Sequence, residues 1–312
     1  MGTNPGIELI DKKGLRVSGR KKDEIRPIKI TAGALHRADG SAYLEWGKNK
    51  IMAAVYGPRE FNPRRFQRPD KAVVRARYNM AAFSVSDRKR PGPDRRSAEI
   101  GKVISDAFEN VILTEKFPRG VIDIQMEILQ ADAGTRIAAL VAATVALADA
   151  GIPMKGLVAG CAAGKAGGQV ILDLDQPEDN YGEADVPIAV NMTTGEVVLF
   201  QMDGHLSPKE FEEALDLAQK GCAQVYEAQR AALLARFEGM VDSGDAPPMH
   251  VDDDLPTAET DDGSDDGDDQ GDDESADTRT RAKKPAGKAG RGRIGGRGRS
   301  SRGRGAAKKE AN

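Results

Sequence analysis

The sequence predicts an α+β domain with a mixed sheet, followed by a C-terminal tail that does not fold. Up to Asp242, hydrophobic patterns typical of strands and helices follow one another in the order βββ–α–β–α–βββ–α. This part of the chain is long enough to bury a substantial core. Beyond Asp242 the apolar residues become too sparse to bury one, so that segment is expected to be disordered.

The first half of the domain predicts strands and one amphipathic helix. Residues 24–30 and 41–57 alternate as half-buried strands do, with a hairpin turn at residues 47–49. A basic loop follows, and then a further strand at residues 72–83. From Ser97 onward apolar residues recur every three or four positions, which predicts a helix. These apolar residues are Ile100, Val103, Ile104, Ala107, Phe108, Val111 and Ile112.

The second half predicts strands around two further helices. Residues 120–130 alternate as a strand, and the alanine-rich residues 137–150 predict a helix. Strands return in three stretches, residues 157–175, 186–190 and 196–202. The last helix is expected to begin after Ser207, which forms a capping box with Glu210, and to continue to about Phe237.

We expect three regions, an N-terminal arm at residues 1–18, a folded domain at residues 19–242 and a disordered tail at residues 243–312. Residues 252–277 of the tail carry fourteen acidic side chains and no basic one. Residues 279–312 are RG-rich and carry thirteen basic side chains and one acid. The rest of the chain is close to neutral, so attraction for a polyanion must come from local patches or from the tail.

Several classes of protein are excluded by what the sequence lacks. Cys161 and Cys222 have neither paired spacing nor a companion histidine, and they are expected to be small buried hydrophobes. His36, His205 and His250 are isolated, so neither a serine hydrolase triad nor a zinc site is predicted. The N-terminus has no apolar signal region and no stretch approaches the ~20 apolar residues of a membrane span. We expect a soluble cytoplasmic protein with no membrane partner.

Residues 131–136, with the sequence ADAGTR, lie at a predicted junction between a strand and a helix. Gly134 permits a tight turn, free backbone N–H groups point outward at the helix start, and Thr135 and Arg136 add donors. This arrangement suits an anion. The alternative is an ordinary helix entry with a surface arginine.

Two loops are rich in basic side chains. One surrounds Phe66, and the other immediately precedes the helix predicted from Ser97. The basic residues are Arg64, Arg65 and Arg68 in the first loop and Arg88, Lys89, Arg90, Arg95 and Arg96 in the second. Basic and aromatic side chains together suit single-stranded nucleic acid, because the charges follow the phosphates and the rings stack on bases. The alternative is a pair of solvated charged loops.

Residues 178–187, with the sequence EDNYGEADVP, hold four carboxylates and no basic side chain. Two of them, Asp179 and Asp185, precede an apolar run. Paired carboxylates can hold a divalent cation near a phosphate, or one of them can donate a proton to a leaving oxygen. The alternative is a polar turn facing solvent. Taken together, the anion site, the basic loops and the acidic pair predict phosphoryl-type transfer on RNA.

Six longer motifs carry a resemblance to a known family. GRKKDEIRPIKI, ADGSAYLEWGKNKIMAAVYGP, RRSAEI, QADAGTR, ALADAGIPM and EDNYGEADVPIAV occur in this order. From about residue 19 to residue 235 the chain resembles the RNase PH family, and most closely the catalytic ring subunits of archaeal exosomes. The resemblance implies one RNase PH-type domain of the ribosomal protein S5 domain 2-like fold.

The resemblance also implies an activity and partners. The activity is 3′→5′ phosphorolysis of single-stranded RNA to nucleoside diphosphates, with inorganic phosphate as co-substrate, and a reverse reaction that adds nucleotides. The partners are a non-catalytic RNase PH-like paralogue, which completes a hexameric ring as a trimer of heterodimers, and S1/KH-type RNA-binding cap subunits.

The resemblance assigns roles to residues at matching positions. The implied phosphate site is Arg96, Gly134, Thr135 and Arg136. The implied RNA-binding residues are Arg64, Arg65, Arg68 and Arg95. Asp185 is expected chiefly to bind Mg²⁺ or Mn²⁺, and Asp179 to bind that metal or to protonate the departing 3′ oxygen. The motif leaves open which aspartate has which role. Asp173 and Asp175 are expected to be supporting residues.

Three other functions remain as alternatives. A ring subunit that binds RNA without catalysis would be expected to lack part of the residue set, which is complete here. A homohexameric RNase PH that trims tRNA 3′ ends would be active without a second subunit. An RNA chaperone acting through its RG-rich tail would keep its function when the core aspartates are changed.

Overall fold

The computed structural model describes residues 9–11, 14–87, 89–92 and 94–243, with side chains described as far as residue 238. The first eight residues of the predicted arm and the predicted tail beyond Ser243 lie outside the described residues. In chain order the elements are β1 (Ile28–Ala32), β2 (Gly40–Trp46), β3 (Asn49–Glu60), β4 (Val73–Met80), α1 (Arg95–Val111), β5 (Gly120–Gln130), α2 (Thr135–Asp149), β6 (Val158–Ala166), β7 (Gln169–Leu172), α3 (Gln176–Tyr181), β8 (Ala184–Asn191), β9 (Val197–Phe200), β10 (Asp203–Gly204) and α4 (Pro208–Ser243).

The first sheet has five strands in the order β1-β2-β3-β5-β4. Its strands pair antiparallel except for β4 and β5, which are parallel and are joined through α1. The β2–β3 hairpin turns at Gly47 and Lys48, with Trp46 opposite Asn49. The hairpin and the mixed sheet predicted from the sequence are therefore present.

The second sheet is antiparallel throughout and also has five strands. Strand β6 pairs with β7 on one side and with β8 on the other. The other edge of β8 pairs with β9 near the end of β8 and with β10 at its start. In this last pairing Asp203 lies opposite Asp185. Alternation along the sequence marks strands but not their partners, so it did not separate the two sheets.

Helix α2 is the centre of the core. Residues 137–147 are buried on every side of the helix, which packs against β2 and β3 of the first sheet and β6 of the second. Small side chains allow this close approach. A Cβ atom on Gly160 of β6 would lie 2.9 Å from Cγ2 of Ile137. The alanine-rich sequence thus places the N-terminus of α2 at a fixed position between the sheets.

The acidic stretch begins within a short helix, α3, that was not predicted from the sequence. Asp175 is its N-cap and Glu178 completes a capping box, because each side chain bonds the other residue's backbone N–H group. This D-x-x-E spacing is a signal that the sequence analysis overlooked. As a result, Asp179 stands on a helix rather than on a loop.

Helix α4 begins as predicted. Ser207 Oγ donates to Glu210 Oε2 at 2.7 Å, and Glu210 Oε2 also accepts from the Ser207 backbone N–H at 2.8 Å. The helix continues past Phe237 to Ser243. Within the described part of the chain, every helix is too short or too polar to span a lipid bilayer.

Candidate active site

A cavity of about 820 Å³ brings together four of the residues singled out in the sequence. Arg96 reaches it from α1, Arg136 from α2, Asp179 from α3 and Asp185 from β8. The two arginines and the two aspartates come from segments far apart along the chain. The fold therefore assembles a positive and a negative group of side chains around one space.

Two further acidic residues, Glu99 and Asp203, line the same cavity. Asp203 and Asp185 are direct partners in the β10–β8 pair, and side chains of directly opposed residues lie on the same face of a sheet. The sequence analysis missed Asp203, because only the strand register brings it to Asp185. No local motif could have identified it.

Burial and repulsion between carboxylates raise the pKa values of Asp179 and Asp185. Burial, followed by the negative charge of Asp179, raises the pKa of Asp185 from 3.8 to about 7. Burial also raises the pKa of Asp179, although the charges of Arg96, Arg26 and Arg136 oppose this. Near neutral pH, the Asp185 carboxyl can therefore hold a proton, or it can lose that proton when a cation binds.

The carboxylates fit a divalent cation that keeps part of its water shell. Within the described ranges no group of three or more His, Cys, Asp or Glu side chains is arranged to hold a metal ion. Asp179 and Asp185 nevertheless disfavour each other's negative charge, as the raised pKa of Asp185 shows. Mg²⁺ is typically held by one or two carboxylates together with water and substrate phosphate, and such an ion would offset the repulsion.

The basic side of the cavity centres on Arg136 in the first turn of α2. A positive charge at a helix N-terminus is unfavourable on its own. Nη1 of Arg136 donates to Oε1 of Gln201, whereas Nε is buried without a hydrogen-bond partner in the described structure. An anion in the cavity would offset both disadvantages. Gln201, which also lines the cavity, was not identified from the sequence.

Gly134 and Thr135 shape this site but are not among the residues lining the cavity. Gly134 is the N-cap of α2 with a left-handed φ of 63°, a conformation that favours glycine. Thr135 is buried, and its hydroxyl accepts a 2.8 Å hydrogen bond from the Tyr78 hydroxyl. The donors that they could offer to a phosphate are their backbone N–H groups and the Thr135 hydroxyl proton.

The four predicted RNA-binding arginines lie outside the cavity. Arg64 and Arg65 are exposed in a single 3-10 turn, where the Arg65 guanidinium lies 4.9 Å from the centre of the Phe66 ring. Arg68 is bound to Glu109 at 2.5 Å. Arg95 is exposed in the first turn of α1. Arg68 therefore lies beside the last turn of α1 and Arg95 in its first turn, so the four side chains do not form one surface patch.

The two cysteines are buried as expected and have no catalytic features. Burial raises the pKa of the Cys222 thiol to about 12 and that of Cys161 well above its usual range. A thiol that stays protonated is a poor nucleophile.

Family profiles match both halves of the folded region. Domain 1 of the 3′ exoribonuclease family matches residues 24–153 and domain 2 matches residues 156–221. These ranges contain the first and the second sheet, respectively. The chain belongs to the RNase PH family of 3′ exoribonucleases, and the resemblance inferred from its motifs is confirmed.

Within this family the chain is similar to archaeal proteins of one kind. It is 60% identical to exosome complex component Rrp41 of Thermococcus kodakarensis over 237 residues, which cover 76% of this chain and 95% of the relative. It is 62% identical to the protein of the same name from Methanopyrus kandleri over 231 residues, which cover 74% and 97%.

Solved structures show the same RNase PH-type fold at low sequence identity. Rice Rrp46 superposes with a TM-score of 0.64 at 21% identity and covers 70% of this chain and 100% of its own. A chain from an Archaeoglobus fulgidus exosome with RNA bound to the active site has a TM-score of 0.61 at 21% identity, covering 69% and 93%. The predicted α+β fold class is confirmed.

Proposed function

We propose that this protein is the catalytic ring subunit of an archaeal exosome and degrades single-stranded RNA from its 3′ end by phosphorolysis. The observation that carries the proposal is the cavity that Arg96 and Arg136 line together with Asp179 and Asp185. A ring subunit without activity would have no need for this complete set. The relatives at about 60% identity carry the name of exosome components, which favours an exosome over a homohexameric tRNA-trimming enzyme.

The basic side of the cavity binds and orients inorganic phosphate. The guanidinium groups of Arg136 and Arg96 are planar forks that match phosphate oxygens, and Gln201 holds one arm of Arg136 in place. An oxygen of the bound phosphate attacks the phosphorus of the 3′-terminal phosphodiester. The bond from that phosphorus to the 3′ oxygen of the preceding nucleotide breaks, and a nucleoside diphosphate leaves.

The acidic side acts on the leaving group and on the charge of the phosphates. A carboxylic acid with a raised pKa, at Asp185 or Asp179, can supply the proton that the departing 3′ oxygen needs. In the alternative assignment both side chains would hold Mg²⁺ or Mn²⁺, which would supply positive charge beside the phosphoryl oxygens. The P–O bond broken is replaced by one of similar energy, so the reaction also runs in reverse and adds nucleotides from diphosphates.

The assembly proposed for this chain follows its relatives. A non-catalytic RNase PH-like paralogue would alternate with it in a hexameric ring, S1/KH-type subunits would cap one face, and the complex would act in the cytoplasm. The RNase PH-like fold shared with rice Rrp46 and with the RNA-bound Archaeoglobus fulgidus exosome is compatible with such a ring.

The activity is tested with single-stranded RNA, the full-length chain and its ring partner, in the presence and absence of phosphate. We expect nucleoside diphosphates only when phosphate is present. Nucleoside monophosphates formed without phosphate would indicate hydrolysis and contradict the proposal. Full activity of the chain without a partner would instead favour the homohexameric enzyme.

The exposed arginines outside the cavity are proposed to hold the RNA backbone. Changing Arg64, Arg65 and Arg68 together to alanine is expected to weaken RNA binding about 10-fold at low salt and to flatten its dependence on salt. The phosphate KM should stay unchanged, since none of the three lines the cavity. Binding isotherms at several salt concentrations measure this effect. The matched control changes Lys22, Lys50 and Lys102 together to alanine, which removes the same charge from exposed ion pairs elsewhere on the surface. An unchanged salt slope in the triple variant would exclude the role.

A further inference from the structure

Three arginines from the segment before β1 are buried beneath the active site and take no part in the reaction described above. They are Arg16, Arg20 and Arg26. We propose that Arg26 is a positioning residue that fixes the separation between the phosphate loop (residues 131–136) and the acidic segment (residues 173–181). The inference rests on the proposed function, because that function assigns phosphate to one side of the cavity and proton or metal chemistry to the other.

Arg26 contacts the acidic segment through Asp173. The Arg26 backbone N–H donates to Asp173 Oδ2 at 2.6 Å, and its guanidinium donates to the two oxygens of the same carboxylate at 2.7 Å and 3.0 Å. Trp46 Nε1 donates to Asp173 Oδ2 at 3.1 Å. Asp173 is only 2% exposed, so this paired carboxylate has few ways to move.

The other end of the same guanidinium contacts the phosphate loop. Nη1 of Arg26 donates to the backbone carbonyl of Asp132 and lies 3.5 Å from its Oδ2 atom. A Cβ atom placed on Gly134 would be 3.4 Å from Nη2 of Arg26. One rigid, planar group therefore touches both halves of the active site. A lysine ammonium could keep the charge but could not reach both partners as a fork does.

Both segments contain a non-glycine residue in the left-handed region. Ala133 has a φ of 56° and Asp173 a φ of 53°. Such conformations are costly and persist where the surroundings determine them strongly. Arg26 holds Asp173, and Asn49 holds the other turn by donating to the Ala133 carbonyl at 2.7 Å and accepting from the Asp132 N–H at 2.6 Å.

A second buried arginine, Arg16, connects Asp173 to helix α3, which bears Asp179. The Arg16 guanidinium donates to the Asp173 carbonyl at 2.7 Å and to Glu178 Oε1 at 2.6 Å. Glu178 also accepts from the Asp175 N–H at 2.9 Å, and the Asp179 N–H donates to the Asp175 carbonyl at 2.8 Å. A helix as short as α3 has little stability of its own. These contacts determine where Asp179 stands.

Geometry explains this network better than stability does. Buried ion pairs contribute little net stability compared with apolar packing, and in some proteins they are retained because they specify structure. Catalysis by two groups on opposite sides of a reacting phosphate depends on their separation, and a misplacement of about 1 Å costs on the order of 100-fold in rate. Two arms of the network can be tested separately, because Glu178 joins the acidic segment to Arg16, whereas the Asn49 side chain bonds the phosphate loop.

The test compares three variants of the full-length chain, each assembled with its ring partner, with rates expressed per active site. Glu178→Gln is expected to lower kcat about 10-fold and leave the phosphate KM unchanged. Asn49→Ala is expected to raise the phosphate KM with a smaller effect on kcat. Arg26→Lys should do both. The matched control is Lys22→Met, which removes an exposed ion pair with Glu213 from the same segment and should change neither constant.

The outcomes separate this inference from a purely structural role and from the proposed function. If Arg26→Lys lowers only the fraction of folded protein, with kcat per active site and phosphate KM as in the wild type, the inference is overturned. If that variant does not fold, Asp173→Asn, which weakens the same contact from its other side, decides, and an unchanged kcat and phosphate KM overturn the inference. An inactive wild type in the same assay would overturn the proposed function, and the inference with it.

Discussion

Asp185→Asn is expected to abolish phosphorolysis and, without added metal, to make the protein more stable to heat at pH 8. The lost activity should amount to about 100-fold to 10,000-fold, the range for removing a proton-transferring group. The gain in stability follows from the raised pKa of about 7. The folded state retains a proton that the unfolded chain releases near pH 4, so the stability contributed by this group is present below about pH 4 and lost as the pH rises through 7. Asparagine avoids this loss.

Two measurements test the prediction, product formation from RNA and the melting temperature between pH 4 and pH 8. Wild type and variant should differ little in melting temperature at the acidic end and diverge as the pH rises. Asp106→Asn, which removes an exposed carboxylate paired with Lys102 on α1, is the control. A variant that melts below the wild type at pH 8, or that keeps its activity, would contradict the account.

Arg136→Ala is expected to lower the efficiency with which phosphate is used by about 100-fold to 1,000-fold, as for other preorganised donors to a reacting oxyanion. Folding stability should be unchanged or improved, because the change removes a positive charge from the first turn of α2 and a buried Nε without a partner in the described structure. Arg136→Lys should recover only part of the activity, since lysine lacks the fork. Initial rates over a range of phosphate concentrations measure the effect.

Two further variants identify the cause of such a loss. Arg95→Ala changes an exposed arginine on the same helix turn as Arg96 but outside the cavity, and it should leave phosphate use intact. Gln201→Ala frees one arm of Arg136 and should give an intermediate loss. If Arg136→Ala weakened RNA binding instead and left the phosphate KM unchanged, the assignment of Arg136 to phosphate would be wrong.

Local signals in the sequence predict much of this molecule. Period-two alternation identifies the long strands, and a three-to-four spacing identifies α1. The residues around Arg136 and Asp185 were singled out because each lies in a compact motif whose chemistry shows in a few consecutive positions. These residues meet in one cavity because of the fold. The resemblance to the RNase PH family predicted that fold from the sequence.

What the sequence did not predict depends on partners distant along the chain. Asp203 belongs to the site because β10 pairs with β8, and strand register is not visible in a two-residue strand. Gln201 became relevant only through its bond to Arg136. The burial of Arg26 could not be predicted from its neighbours in sequence. It depends on Asp173 and on the turn at Asp132, both more than 100 residues away. The helix α3 was missed since its capping box lies among loop-forming residues.

We propose that one cavity holds phosphate-binding arginines together with a cation-binding acidic pair. The most direct measurement is anomalous diffraction from crystals soaked with Mn²⁺ and tungstate, the latter standing in for phosphate. The account predicts a manganese peak between Asp179 and Asp185 and a tungsten peak at the guanidinium groups of Arg96 and Arg136, both within the same cavity. Peaks in separate cavities, or a tungstate site away from both arginines, would contradict it.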